Sequence, residues 1–226
     1  MCILINKIHT FQYVPRKSVI NIYYNVEPLR SNEEITDFVN TARNGTHGER
    51  NTLLILIGLN TGLRMSDILN LKVGQIRYHD IVHITEKKTK KRRVILLTRL
   101  RPQINHYIKD LPDNEYLFTN RQHQPLSVNA VYKLFQTIAR KMHRTDIGTH
   151  TLRKTFGYHY YQQTHDIGTL MMIFNHSSEA ITKRYIGLNQ DVILKQLAGF
   201  SLGIDANKVD CKINPNAVRT KKISFL

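Results

Sequence analysis

The chain has 226 residues, enough to bury a sizeable core, and its composition is ordinary for a globular protein except in charge. Thirty-three lysines and arginines against seventeen acidic residues give a net charge of +16, which favours a polyanionic partner, most often nucleic acid. Without a membrane-length apolar run or a signal peptide, and with two cysteines that lack metal-ligand spacing, we expect a cytosolic protein rather than a secreted or membrane one. On charge alone, a ribosome-type structural protein or a merely solvated basic surface stays open.

Most of the chain has helical patterning. Ser31 and Glu34 form a capping box that predicts a helix running to about Ala42. A strongly apolar stretch that follows predicts a buried helix, which ends at the Asn60-Thr-Gly62 break. Ser127 and either Ser177 or Ser178 are plausible caps further on. The later segments predicted as helices are residues 49–59, 66–71, 102–110, 128–142, 150–163, 166–174, 178–186 and 190–198.

Between the predicted helices at residues 66–71 and 102–110, the spacing of apolar residues changes from that of a helix to an alternation of two. Residues 76–78, 81–84 and 94–97 therefore read as three short strands. We predict an α+β protein that is mainly helical, with one small three-stranded antiparallel sheet.

Two arginines are predicted at the edges of the helical core. In the Thr-Gly-Leu-Arg64 segment a buried helix ends at a glycine turn, so Arg64 emerges at the mouth of the core and Asp67 can orient its guanidinium from behind. In His150-Thr-Leu-Arg153 both polar side chains leave the same face of a helix start, which itself favours anions. Together the arginines could grip two oxygens of one phosphodiester, with His150 handling protons. Taken singly, each motif is more often structural.

The segment from Lys87 to Arg93 contains six basic residues in seven. On a β-hairpin such a run predicts salt-dependent contacts with phosphates, and one lysine near a strand end could protonate a leaving oxygen. A solvated basic turn is the alternative for most of these side chains. The residues predicted to contact DNA are Lys87, Lys90, Lys91, Arg92 and Arg93.

His176 lies in a loop between two short predicted helices, and Tyr185 follows nine residues later near the end of the second. A phenol with a pKa of about 10 is a poor nucleophile at neutral pH. Nearby arginines and a hydrogen bond from His176 could lower that barrier. Because the chain has eleven tyrosines, a packing role for Tyr185 stays open on this pattern alone.

The order of these elements resembles the tyrosine recombinase family, which includes phage integrases and chromosome-dimer resolvases. The matching elements, in chain order, are Arg64 in Thr-Gly-Leu-Arg, a basic hairpin with lysine, His150-x-x-Arg153, His176 and Tyr185. The resemblance implies the family's catalytic domain, a helical bundle with one small sheet, over about residues 28–199. We expect residues 1–27 to be an N-terminal extension, and residues 200–226 a tail that is loosely ordered or docks on a partner protomer.

The resemblance also implies roles for the matched residues. Arg64 and Arg153 would clamp the scissile phosphate. His150 would assist proton transfer and phosphate binding, and His176 would hydrogen-bond the phosphate. Tyr185 would attack, leaving a 3′-phosphotyrosyl link and a free 5′-hydroxyl.

The resemblance makes Lys88 the general acid for the departing 5′ oxygen, with Lys87 and Lys90 as other candidates. Because the phosphotyrosyl ester stores the bond energy, members of the family need neither a metal nor a nucleotide. The sequence agrees, since it has no Walker motif and no carboxylate cluster suited to Mg²⁺. We therefore expect no cofactor. The expected partners are double-stranded DNA and further copies of the chain in a tetramer on DNA, with the segment beyond about Asn189 as a contact between protomers.

Two departures from the family pattern qualify this interpretation. About 27 residues precede the catalytic core, too few for the helical clamp domain that family members usually carry, so an accessory DNA-binding protein is a possible partner. Asn175 stands where the family usually has glycine, and asparagine also tolerates a left-handed backbone. Two alternatives remain: a DNA-binding accessory protein without activity of its own, and a relaxing topoisomerase with the same phosphotyrosine chemistry. On the leading interpretation the protein is cytoplasmic and nucleoid-associated, and of prokaryotic or phage origin.

Overall fold

The computed structural model describes residues 26–201, except for the side chains of Gln190 and Gln196. This part contains ten α-helices and one antiparallel pair of strands. The helices are α1 Asn32–Arg43, α2 Gly48–Thr61, α3 Met65–Ile68, α4 Val73–Ile76, α5 Arg101–Tyr107, α6 Val128–Lys141, α7 Thr151–Thr164, α8 Ile167–Phe174, α9 Glu179–Tyr185 and α10 Leu188–Ala198. The strands are β1 Ile81–Thr85 and β2 Arg92–Leu96. The predicted extension and tail lie almost wholly outside the described residues.

The mainly helical prediction is confirmed, and the predicted caps explain where several helices begin. The Ser31 hydroxyl accepts a hydrogen bond from the backbone N–H of Glu34 at 3.2 Å, so α1 starts at the next residue. Ser127 caps α6 in the same way, and Ser178 rather than Ser177 caps α9. Asp166, which the sequence did not single out, caps α8 through the N–H of Thr169.

The prediction of a three-stranded sheet is wrong within the described residues, because the sheet has two strands. Ile76 ends helix α4 and is fully buried together with Val73, three residues earlier, which is the spacing of one helix face. Tyr78 has a φ of 62° and is 85% exposed, so the chain turns there instead of extending. The apparent alternation over residues 76–78 is thus the end of a helix followed by a turn.

The β1–β2 hairpin pairs Ile81 with Leu96 at its open end and Thr85 with Arg92 next to the connecting loop. Its inner face carries Val82, Ile84 and Ile95 into the core, while the alternate side chains point outward. The loop of residues 86–91 therefore projects from a strand pair that is anchored on one face.

The core has two parts. The larger one is built around α2, which packs against α1 and α7. The smaller one is formed by four buried side chains of α8 to α10 and the residue after α9: Leu170, Phe174, Ile186 and Leu188. Gly157 of α7 lets this cluster approach closely, because a Cβ there would lie 2.6 Å from Phe174 and 2.7 Å from Ile186. Tyr185 packs against the smaller cluster.

Among residues 26–201, no helix has both the length and the apolar character needed to cross a membrane.

Candidate active site

The glycine turn after α2 orients two arginines. Gly62 ends the helix with a left-handed φ of 58°, and any side chain there would also collide with Phe156. The turn brings Arg64 to the N-terminal cap of α3, with its side chain largely but not fully covered. It also points the Gly62 carbonyl at Arg153, whose Nη1 donates to it at 2.6 Å.

Arg153 is 2% exposed and is held from two sides. Besides Gly62, it donates from Nη2 to the carbonyl of Phe174 at 3.0 Å, and its guanidinium lies 4.3 Å from the centre of the Phe174 ring. Burial and the charge of Arg64 lower its pKa from 12.5 to about 10, so it stays charged at neutral pH. A guanidinium has five N–H donors. With two of them used on carbonyls, donors remain for an anion.

Arg64 pairs with Glu86 rather than with Asp67, which corrects the prediction. Its Nη1 donates to Glu86 Oε2 at 2.6 Å. Asp67 is 4% exposed and instead accepts from the backbone N–H of Lys87 at 2.8 Å, through Oδ1. Its Oδ2 has no hydrogen-bond partner in the described part of the chain. The reason is that Asp67 lies on the buried side of the single-turn helix α3, beneath the hairpin loop.

Glu86 is a site residue that the sequence did not indicate. It is 3% exposed and also accepts from the Thr89 hydroxyl at 2.6 Å, while Arg93 Nη1 lies 3.6 Å from its other oxygen. Burial opposes its ionisation, but the hydrogen bonds from Thr89 and Arg64 outweigh burial and lower its pKa. The available signal was its position, as an acidic residue directly before six basic residues in seven.

The basic residues of the hairpin divide into exposed and inward-facing side chains. Lys88 is exposed in the loop and forms no side-chain hydrogen bond within the described residues; its charge is one of those that lower the pKa of His150. Lys91 donates to Asn175 Oδ1 at 2.6 Å. Arg93 faces inward and donates to the carbonyls of Thr61 and Gly62. Its guanidinium is thus occupied by these carbonyls and by Glu86, and its contact with DNA stays a prediction. Lys87, Lys90 and Arg92 are exposed.

His150 and Tyr185 meet although they are 35 residues apart in the chain. His150 occupies the N-terminal cap position of α7 and Tyr185 ends α9. His150 Nδ1 lies 3.1 Å from the Tyr185 hydroxyl. Loss of water around part of the imidazole, and then the charge of Arg153, lower the pKa of His150. A neutral imidazole can accept the phenolic proton. The amine of Lys154 lies 5.4 Å from the centre of the Tyr185 ring.

His176 reaches the same place from the loop after α8. Asn175 ends α8 with a left-handed φ of 56°, so the expectation that asparagine suits this position is confirmed. The Thr182 hydroxyl donates to the Ser178 carbonyl and therefore accepts from His176 Nδ1 at 3.1 Å. The His176 ring packs edge-on against Tyr185, with ring centres 5.1 Å apart. Partial burial and the charge of Arg153 lower its pKa.

The arrangement is suited to hold a phosphate beside a phenol. The predicted residues Arg64, His150, Arg153 and His176 converge on Tyr185, and Lys88 lies on the adjoining loop. Arginine forks match phosphate oxygens, and such donors neutralise charge that develops on phosphorus. In the described part of the chain, no group of three or more histidine, cysteine or acidic side chains is placed to hold a metal ion. The fold and site thus define a mainly helical domain in which a tyrosine lies among arginines and histidines suited to hold a phosphate.

Comparison with known sequences agrees with this class. Residues 30–191 match the model of the phage integrase family. The chain is 44% identical over 168 residues to the probable integrase/recombinase YoeC of Bacillus subtilis, covering 74% of this chain and 92% of that protein. It is 28% identical over 155 residues to the tyrosine recombinase XerC of Staphylococcus epidermidis, covering 66% of this chain and 52% of XerC. The chain belongs to the phage integrase family, and it spans about half the length of the XerC relative.

Solved structures of recombinases share the fold. The crystal structure of XerA recombinase superposes with a TM-score of 0.60 at 20% identity, over 76% of this chain and 65% of that one. The XerH site-specific recombinase, in a post-cleavage complex with a palindromic difH substrate, superposes with a TM-score of 0.61 at 22% identity. That match covers 76% of this chain and 52% of XerH.

Proposed function

We propose that this chain is a site-specific tyrosine recombinase that cleaves and rejoins duplex DNA through a 3′-phosphotyrosyl intermediate. One observation carries the proposal: the hydroxyl of Tyr185 lies 3.1 Å from His150 Nδ1, and the charges of Arg153 and Arg64 act on it. Membership of the phage integrase family supports the same conclusion. Residues 28–199 constitute the catalytic domain on this proposal.

The proposed cleavage step uses each of these groups once. The Tyr185 oxygen forms a bond to phosphorus while the bond from phosphorus to the 5′ oxygen breaks. His150 Nδ1 accepts the phenolic proton, and Lys88 gives a proton to the departing 5′ oxygen. Arg64 and Arg153 neutralise charge on the non-bridging oxygens. Rejoining is the reverse, with a 5′-hydroxyl attacking the phosphotyrosine.

On this proposal His176 binds the scissile phosphate. Because Thr182 accepts from its Nδ1, the nitrogen left to face the substrate is Nε2. That nitrogen donates to a phosphate oxygen once the ring is protonated, and a bound phosphodiester anion favours the protonated ring.

The proposed partners are double-stranded DNA and further copies of the chain. The exposed basic residues of the hairpin loop supply phosphate contacts. Assembly into a tetramer on DNA is supported by apolar side chains at the end of the described chain that are more than half exposed: Val192, Ile193, Leu194, Leu197 and Phe200. An accessory DNA-binding protein and action at the nucleoid belong to the same proposal.

Covalent capture tests the function. The protein is incubated with host genomic fragments and with plasmid, the reaction is stopped in denaturant, and protein-linked DNA is isolated and sequenced. We expect adducts at a defined site, joined through Tyr185 in the peptide identified by mass spectrometry. Tyr185→Phe removes the nucleophilic oxygen, so its adduct yield should fall below detection, by at least about a thousandfold on the scale of lost nucleophiles.

The other candidate functions give different results in the same assay. Relaxation of every plasmid without sequence preference would indicate a topoisomerase. DNA binding without any adduct in the wild-type protein would indicate an accessory DNA-binding protein. Tyr185 is excluded as the nucleophile if Tyr185→Phe forms the adduct at an undiminished level. Tyr132→Phe, on the surface of α6, controls for the loss of a hydroxyl elsewhere.

A further inference from the structure

A buried carboxylate joins the two halves of the phosphate site. Glu86 directly follows β1 and is 3% exposed, although it lies beside a run of basic residues. A carboxylate this deeply buried is retained at a cost unless charges and hydrogen bonds compensate it. Its compensating groups belong to different structural units, one to the core and one to the hairpin loop.

On the core side, Glu86 holds Arg64. Arg64 Nη1 donates to Glu86 Oε2 at 2.6 Å, and no other hydrogen bond of this guanidinium is formed within residues 26–201. Arg93 lies on the same carboxylate at 3.6 Å. A guanidinium has five N–H donors, so this single bond fixes the direction of the Arg64 fork and leaves the other donors for phosphate.

On the loop side, Glu86 holds the segment that carries Lys88. Its Oε2 accepts from the Thr89 hydroxyl at 2.6 Å, and its carbonyl accepts from the N–H of Lys90 at 2.9 Å. The residue before Lys88 is fixed as well, because the N–H of Lys87 donates to Asp67 at 2.8 Å. Lys88 therefore stands between two residues that are both attached to buried carboxylates.

We infer that Glu86 is a positioning residue that aligns Arg64 with Lys88, and so couples phosphate binding to protonation of the leaving oxygen; this rests on the proposed function. Oε2 accepts hydrogen bonds from both Arg64 and Thr89, so a shift of the loop and a shift of the guanidinium are linked through one atom. Placement errors of about 1 Å can cost roughly 100-fold in rate, so such a link matters to the chemistry.

The electrostatics support the same role. Arg64, Arg93 and Arg153 lie close enough to act on one another's charge, and Glu86 is among the opposing charges that act on Arg153 and Arg93. A neutral side chain at position 86 leaves these like charges with less compensation. The exposed edge of the cluster is Arg64, so Arg64 is the guanidinium that turns outward.

Two substrates with different leaving groups distinguish the contact of Glu86 with Arg64 from its contact with the hairpin loop. The substrate is a duplex carrying the site mapped by covalent capture, prepared either with the natural 5′ oxygen or with sulfur in its place. A thiol, with a pKa of about 8.5, leaves without the general acid that an alkoxide needs. The rate of adduct formation is measured under single-turnover conditions for the wild type and the variants, with melting curves recorded for each.

Thr89→Val removes the loop side and leaves the Arg64 bond in place. We expect the rate on the oxygen substrate to fall by roughly tenfold, and the rate on the sulfur substrate to stay within about twofold of wild type. Lys88→Ala should show the same pattern more strongly. Glu86→Gln loosens both sides, so it should slow the sulfur substrate as well, by roughly tenfold. Thr137→Val and Glu49→Gln, on exposed surfaces of α6 and α2, are the matched controls.

The outcomes are distinct. If wild-type protein forms no adduct with either substrate, the proposed function fails. If the wild type reacts but Thr89→Val slows both substrates equally, Glu86 is merely structural and the inference is overturned. The inference also fails if Glu86→Gln folds and cleaves the oxygen substrate at the wild-type rate. If Glu86→Gln does not fold, the leaving-group pattern of Thr89→Val decides.

Discussion

The hydroxyl of Tyr185 is subject to two opposing effects. Burial raises its pKa above the ordinary value of 10.0, whereas the charges of Arg153 and Arg64 act to lower it. Since burial is the larger effect without DNA, the hydroxyl stays protonated near neutral pH. It therefore needs a proton acceptor in the attacking step, and His150 Nδ1 is at hydrogen-bonding distance.

This geometry predicts the acidic limb of the pH profile. The pKa of His150 is lowered from 6.5, so the ring is neutral above that pH and loses its ability to accept a proton only as the pH falls through the lowered pKa. We expect kcat/KM for cleavage, measured from pH 5 to 8 at constant ionic strength, to fall on its acidic side with a midpoint below 6.5.

Two histidine variants show which residue is responsible for the acidic limb of the pH profile. His150→Gln cannot accept the proton, so its slower reaction should lack this limb or show it much weakened. His106→Gln, an exposed histidine on α5, should keep it. A wild-type midpoint at or above 7, or an unchanged limb in His150→Gln, would contradict the role given to His150.

At the scale of elements, the β1–β2 hairpin combines a buried anchor with an exposed basic loop. Val82, Ile84 and Ile95 fix its inner face to the core, so the loop keeps a defined place over α3. Arg93 points inward from β2, and the exposed basic side chains nearest the site are those of the loop itself. Phosphate contacts are therefore expected from the loop lysines.

Salt dependence measures those contacts. Replacing Lys87, Lys90 and Lys91 together by Gln should reduce the slope of log affinity against log salt by about 0.9 for each phosphate that is no longer neutralised. The measurement is DNA binding by fluorescence anisotropy over a series of salt concentrations. A triple Gln variant of the exposed residues Lys109, Lys133 and Lys141 changes the net charge equally. An equal reduction of the slope in both variants would show that net charge alone, and not the loop, sets the dependence.

At the scale of the whole molecule, the larger and the smaller part of the core hold different residues of the site. The large core holds Arg64 and the hairpin, and the small cluster around Phe174 and Ile186 holds Tyr185. Arg153 spans them, because it donates to Gly62 on one side and to Phe174 on the other. Helix α10 continues from the small cluster and leaves most of its apolar side chains uncovered.

Because these apolar side chains of α10 are uncovered, we expect their substitution to impair assembly but not folding. Leu194 and Leu197 are 58% and 61% exposed, so changing both to Ser should alter the melting temperature of the free protein little. Assembly of several protomers on DNA, measured by light scattering or native gels, should weaken. Tyr132→Ser, an exposed aromatic on α6, serves as the control. Unimpaired assembly of the double variant would exclude α10 as the contact.

Much of the fold was predictable because its signals are local. Ser31, Ser127 and Ser178 cap helices through hydrogen bonds within three residues, and Gly62 and Asn175 adopt the left-handed backbone that their side chains permit. The strand predicted at residues 76–78 is not formed, because three residues of alternating polarity do not distinguish a strand from the last turn of a short helix. Burial of Val73 together with Ile76, a matter of tertiary packing, decides between them.

The residue types of the site were likewise readable in order along the chain: two arginines, a lysine loop, two histidines and a tyrosine. The sequence did not show which acidic residue pairs with which arginine. Asp67 is three residues from Arg64 and Glu86 is 22 residues away, yet Glu86 holds the guanidinium, and Arg93 faces the core instead of solvent. Sequence spacing determines which side chains share a helix face. The direction of a long, flexible side chain depends on charges and carbonyls that only the folded chain brings together.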